Sequence, residues 1–159
     1  MILVLLGTFP AQFVRPLQAI DLLCKEGVIK EKVIVQSGFT EFSSEHLIFK
    51  AFLPVEKLDE LYKEARIIIT HAGSGSIIKG LKLEKKVIAI PRLSKYGEVV
   101  DEHQMEILTE FEKENYLLGW RESDNLEELL AKIEDFEPQP FISKKQNIID
   151  FLDEYIGNL

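Results

Sequence analysis

Two short stretches hold the residues best suited to chemistry. Thr70-His-Ala-Gly-Ser-Gly-Ser76 sets two glycines and two serines directly after a run of isoleucines. Glycine lets a ligand approach the backbone, and Ser74 and Ser76 add hydroxyls. Free amides at the start of a following helix favour an anion, most naturally a phosphate. The same residues also suit a tight strand-to-helix turn capped by Ser74, and the loop alone does not separate the two readings. Spacing excludes two better-known phosphate loops. The fingerprint G-x-G-x-x-G needs a small residue where Ile78 stands, and no Gly-Lys-Ser/Thr follows at Walker spacing.

The second stretch runs from Pro91 to Gln104, where Glu98, Asp101, His103 and Gln104 combine carboxylates, an imidazole and an amide. These groups make the directional hydrogen bonds that ribose and hexose hydroxyls require, and a solvated polar loop is the plainer alternative. Asp101 and His103 lie two residues apart without a third ligand, so no metal is expected there. Gly7-Thr8, with Phe13 and Arg15 beyond, offers a further amide and hydroxyl.

The elements that must position these groups alternate between strand and helix. Apolar runs over 1–7, 32–36, 46–52, 66–70 and 87–90 read as strands, with a short edge strand over 116–118. Helical spacing covers 15–27, 56–64, about 76–83, 100–114 and 125–134, the last capped by Ser123 or Asp124. Strands separated by helices of this length imply a parallel sheet with right-handed crossovers. The expectation is an α/β, Rossmann-like, doubly wound and mainly parallel sheet in one domain over 1–135, followed by a tail over 136–159. In such sheets ligands bind beyond the carboxyl ends of the strands, where the loops after Leu6, Phe52, Thr70 and Ile90 lie.

Composition narrows the classes. The 159 residues are 46% hydrophobic and 29% charged, which suits one packed domain. A net charge of -8 disfavours nucleic acid. The single cysteine, Cys24, permits no internal disulfide and fits a reducing cytoplasm. The opening apolar run is too short for a signal peptide, and no run approaches the roughly 20 residues of a membrane span, so membrane association is expected to be peripheral.

His71-Ala-Gly-Ser-Gly-Ser76 followed by Pro91-Arg92, Tyr96-Gly97-Glu98 and Asp101-x-His103-Gln104 resembles the carboxy-terminal, donor-binding domain of family 28 glycosyltransferases, over roughly residues 1 to 120. Within that family the chain is similar to PssE-type exopolysaccharide glycosyltransferase subunits and to the catalytic subunit of the two-chain dolichol-linked UDP-N-acetylglucosamine transferase. MurG is a more distant relative. Both motifs at this separation are more specific than either alone.

The resemblance implies the carboxy-terminal half of a GT-B enzyme. It places the UDP diphosphate against Gly73, Ser74, Gly75 and Ser76, with Gly7 and Thr8 approaching from the first loop. His71 either touches a phosphate oxygen or ties the strand end to a neighbouring loop. The backbone around Phe52 and Leu53 would hold uracil, and Asp101, His103 and Gln104 the donor sugar. Lys79 departs from the acidic residue that relatives use for the ribose. Glu98 then substitutes for it, or Lys79 adds charge near the diphosphate, or donor binds poorly.

The function this implies is that of the catalytic, donor-binding subunit of an inverting UDP-sugar transferase. Its acceptor is a polyprenyl-diphosphate-linked sugar in exopolysaccharide or glycolipid-intermediate synthesis. UDP-sugar is a substrate, and neither cofactor nor metal is required. The acceptor-side half, absent from 159 residues, would come from a membrane-associated partner subunit, so that the cytoplasmic chain reaches the membrane through it. A helix expected from about Ser143 to Ile156 carries Ile148, Phe151, Leu152 and Tyr155 on one face, for that partner or for the chain's own core. His103 is a candidate general base only if the partner brings no carboxylate or histidine. The competing reading is a non-catalytic nucleotide-binding or regulatory module.

Overall fold

The structure is a computed structural model and describes residues 1–143. Six strands form where the β-branched runs stand: β1 (Ile2–Leu5), β2 (Val33–Gln36), β3 (Leu47–Lys50), β4 (Ile67–His71), β5 (Lys86–Ile90) and β6 (Leu118–Gly119). The helices are α1 (Arg15–Lys25), α2 (Val55–Glu64), α3 (Ser74–Lys82), α4 (His103–Lys113) and α5 (Leu126–Asp135). The strands pair in the order β3-β2-β1-β4-β5-β6 and every pairing is parallel. This is the doubly wound arrangement expected from the alternation of elements.

Residues of one strand alternate between two cores because side chains repeat every second residue. Ile2, Val4, Ile67, Ile69, Ile88 and Ile90 face α1 and α5, where Leu17, Ile20, Leu126 and Ile133 meet them. Leu3, Leu5, Ile68, Val87 and Ala89 face the other side and meet Tyr62, Ile77, Leu81 and Leu108. Burial on both faces explains why the central strands lack a polar alternation. The strand order reverses between β1 and β4, which run in register from Ile2 opposite Ile67 to Leu5 opposite Thr70. Their carboxyl ends therefore open a crevice at the centre of the sheet edge.

Some boundaries differ from expectation. α3 begins at Ser74 rather than about Ser76, and Gly73 is its cap, so Ser74 does not cap it. α4 begins at His103 rather than Val100, which is 84% exposed. The Asp101 carboxylate accepts from the His103 amide at 3.1 Å, a local turn that ends the loop just before the helix. α5 is capped by Asn125, whose Oδ1 accepts from the amides of Glu127 and Glu128, and not by Ser123 or Asp124. β6 starts two residues late because Tyr116 is drawn into an aromatic cluster with Phe111 and Phe141. The helix expected over 143–156 lies outside the described residues, apart from Ser143.

Candidate functional site

The crevice between β1 and β4 brings Gly7, His71 and Gly73 together. His71 ends β4, and its Nδ1 lies 3.3 Å from the carbonyl oxygen of Leu5. A carbonyl only accepts, so this bond places the ring hydrogen on Nδ1 and leaves Nε2 as an acceptor in the neutral imidazole. Burial holds His71 below its ordinary pKa, the bond to Leu5 works the other way, and the positive charge of Arg92 adds to the lowering.

The ring is wedged between two glycines. Gly7 has φ +79°, and a Cβ there would stand 2.7 Å from His71 Nε2; a Cβ on Gly73 would overlap the same atom. Only glycine fits either position beside this imidazole. His71 thus ties the β4 end to the end of β1, and its Nε2 remains at the crevice between the two glycine loops.

α3 presents unpaired donors at this point. Its first internal bond runs from the Ile77 amide to the Gly73 carbonyl at 3.2 Å, so the amides of Ser74, Gly75 and Ser76 have no acceptor within the helix. Ser74 and Gly75 are exposed, and a Cβ built on Gly75 meets nothing within 4 Å. Protein packing therefore makes no demand for glycine at 75. An anion placed there meets three amides and the positive end of the α3 dipole. Beside it, a groove of about 480 Å³ is lined by Asp59, Ser74, Gly75, Ile78 and Lys79.

Lys79 is committed elsewhere. Its ammonium pairs with Asp59 on α2 and lies 4.9 Å from the centre of the Tyr62 ring. Its charge is neutralised rather than offered to the crevice.

Glu98 is not available as a ribose ligand, contrary to expectation. It is 3% exposed, and its carboxylate accepts from Arg15 through Nε and Nη2, both at 2.7 Å, and from the Leu93 amide at 2.9 Å. Its chemistry is spent holding the 91–98 loop against α1. Gln104, half-buried near the start of α4, accepts from the Arg92 amide at 2.9 Å, and its NH2 makes no hydrogen bond among the described residues. Asp101 and His103 are exposed beside it, and His103 Nδ1 lies 3.3 Å from Glu106.

Phe52 and Leu53 follow β3 at the far side of the same edge. Phe52 is 52% exposed and meets Phe39 edge to face at 5.2 Å. The Gly38 amide donates to Ala51 at 2.8 Å, which holds the two loops together. Exposed Thr8 follows Gly7, and a Cβ on Gly38 would stand 3.8 Å from its Cα, so the first glycine loop adjoins this corner.

Arg92 stood in the motif that carries the resemblance, but sequence reasoning assigned it no role. It is 1% exposed, and its guanidinium donates to the carbonyls of Leu6 (2.9 Å), Ala11 (3.1 Å) and Glu98 (2.9 Å). An arginine directly after a buried strand was the available signal, since such a charge enters a core only with several acceptors waiting. Among the described residues no three His, Cys, Asp or Glu gather into a metal-binding group, and no helix is long and apolar enough to cross a membrane.

Comparison with known proteins is consistent with this geometry. The chain is 33% identical over 81 residues to the UDP-N-acetylglucosamine transferase subunit ALG13 of Candida albicans, covering 51% of this chain and 26% of that protein. It is 29% identical over 137 residues to the subunit of the same name from Kluyveromyces lactis, covering 86% and 60%. It thus spans less than two thirds of either relative. The solution structure of ALG13 aligns with a TM-score of 0.58 at 18% identity, covering 95% of this chain and 93% of that one. The kitacinnamycin glycosyltransferase aligns at 0.62 and 12% identity, with 84% of this chain matching 34% of that one. Both structural likenesses concern the fold. The model of the glycosyltransferase family 28 C-terminal domain matches residues 1–157, and the chain belongs to that family.

Proposed function

We propose that this chain is the donor-binding, catalytic subunit of an inverting glycosyltransferase that uses a UDP-sugar. The observation that carries the reading is the set of unpaired amides at Ser74, Gly75 and Ser76, opened toward the crevice where the strand order reverses. The diphosphate lies over these amides, with Gly7 and Thr8 at its side and His71 Nε2 between the glycine loops. Uracil lies toward the backbone of Phe52 and Leu53, and the sugar toward Asp101, His103 and Gln104. That relatives are named as UDP-N-acetylglucosamine transferase subunits supports a UDP-sugar donor.

In the reaction an acceptor hydroxyl attacks the anomeric carbon as the bond to the β-phosphate oxygen breaks, which inverts that centre. Charge develops on the leaving diphosphate, where preorganised amides and a helix dipole stabilise it without reorganising and without a required metal. The acceptor hydroxyl loses its proton to a general base. His103 is exposed and takes this role only if the partner brings no carboxylate or histidine.

The acceptor is a polyprenyl-diphosphate-linked sugar of exopolysaccharide or glycolipid-intermediate synthesis. A membrane-associated second subunit supplies the other GT-B half and holds this chain at the cytoplasmic membrane surface. The test is sugar transfer to a polyprenyl-diphosphate acceptor by this chain mixed with a candidate partner. UDP binding without transfer, in a formed complex and across a panel of UDP-sugars, identifies a non-catalytic nucleotide-binding module instead.

A further inference from the structure

We infer that Arg92 is a positioning residue that locks the loop after β1 to the 94–104 segment, so that the donor's sugar is discriminated only while both are held in register. This inference rests on the donor-binding reading above. The guanidinium reaches three carbonyls from two separate loops: Leu6 and Ala11 on either side of Gly7-Thr8, and Glu98 at the end of the 94–98 turn. The backbone amide of the same residue holds the side chain of Gln104. One residue therefore touches the framework of the diphosphate side and that of the sugar side.

The lock is closed from outside by Arg15, which grips both carboxylate oxygens of Glu98 and also donates to the Pro91 carbonyl at 3.0 Å. Glu98 is thereby paired with Arg15, and the hydrogen-bond partners of the Arg92 guanidinium are backbone carbonyls, none of them a carboxylate. The Arg92 guanidinium is packed 4.7 Å from the centre of the Phe13 ring. Lysine cannot reproduce this, because a single ammonium cannot span acceptors that a planar fork reaches from both ends.

The test compares the full chain with its Arg92→Lys variant, titrated calorimetrically with UDP and with UDP-N-acetylglucosamine, UDP-glucose and UDP-galactose. The best sugar sets the ratio of UDP-sugar to UDP affinity. A folded Arg92→Lys protein should lose about five- to tenfold of that ratio, the worth of one neutral hydrogen bond to the sugar. Gln104→Ala should lose a similar amount, and the double variant no more than either alone. A folded Arg92→Lys protein with an unchanged ratio, or losses that add in the double variant, overturns the inference.

If Arg92→Lys does not fold, the native chain gives the answer. The Arg92 Nε has no hydrogen-bond partner among the described residues, so its Nε–H NMR signal reports the guanidinium directly. That signal should shift further with the best UDP-sugar than with UDP, and identical positions with both ligands overturn the inference. A native chain that binds no UDP or UDP-sugar overturns the donor-binding reading and this inference with it.

Discussion

Gly75→Ala separates the needs of the fold from those of a ligand. Gly75 is the second residue of α3, is exposed, and has open space where a Cβ would stand. Alanine in a helix is favoured over glycine by about 0.5–1 kcal/mol, and nothing in the packing opposes it. The variant should unfold about 2 °C higher, given the entropy of unfolding of a domain this size. On the donor-binding reading, the same methyl keeps a diphosphate from closing on the amides of Ser74, Gly75 and Ser76. Loss of one charge-assisted hydrogen bond costs about 1.5–3 kcal/mol, so the Kd for UDP should rise about 10- to 150-fold. Thermal unfolding and calorimetric titration of one preparation measure both effects. A variant that is stabilised yet binds UDP as the native chain does would show that the diphosphate does not lie over α3. Gly73→Asp also weakens binding, by charge repulsion, but its Cβ displaces His71, so its effect mixes ligand contact with local structure.

Gln104→Ala should reduce discrimination between UDP-sugars more than affinity for UDP; equal losses in a binding assay refute a sugar contact. Glu98→Ala leaves Arg15 and the Leu93 amide without their acceptor in a largely buried place, and should cost about 3–5 kcal/mol in chemical unfolding. His71 has a folded pKa held down by burial, so the unfolded chain binds the extra proton first as pH falls. Its contribution to stability is present above the ordinary histidine value of about 6.5 and is lost as pH drops below it toward the folded pKa. Unfolding free energies across that window should fall in the native chain and fall less in His71→Gln.

Much of the architecture was legible locally. The runs at Ile2–Leu5, Ile67–His71 and Lys86–Ile90 are apolar apart from Thr70 and His71 at the end of β4 and Lys86 at the start of β5, because each strand is buried on both faces, and they became the central strands. The motif at His71–Ser76 was legible for the same reason, since a strand end, glycines and a helix start are neighbours in sequence. Boundaries were less so where a side chain competes with the periodic pattern, as Asp101 does in closing the turn before α4.

The sequence by itself determined the class of fold, the family motifs and the loops that had to lie at the carboxyl edge of the sheet. Hydrophobic periodicity and turn chemistry act over a few residues and can be read along the chain. Tertiary structure decided which groups remain free. Glu98 was engaged by Arg15, 83 positions away, Lys79 was neutralised by Asp59, and Arg92 became the junction of loops as far away as Leu6. Those assignments depend on the parallel crossovers that bring β1, β4 and β5 side by side, and no local spacing encodes which partner a buried charge will meet.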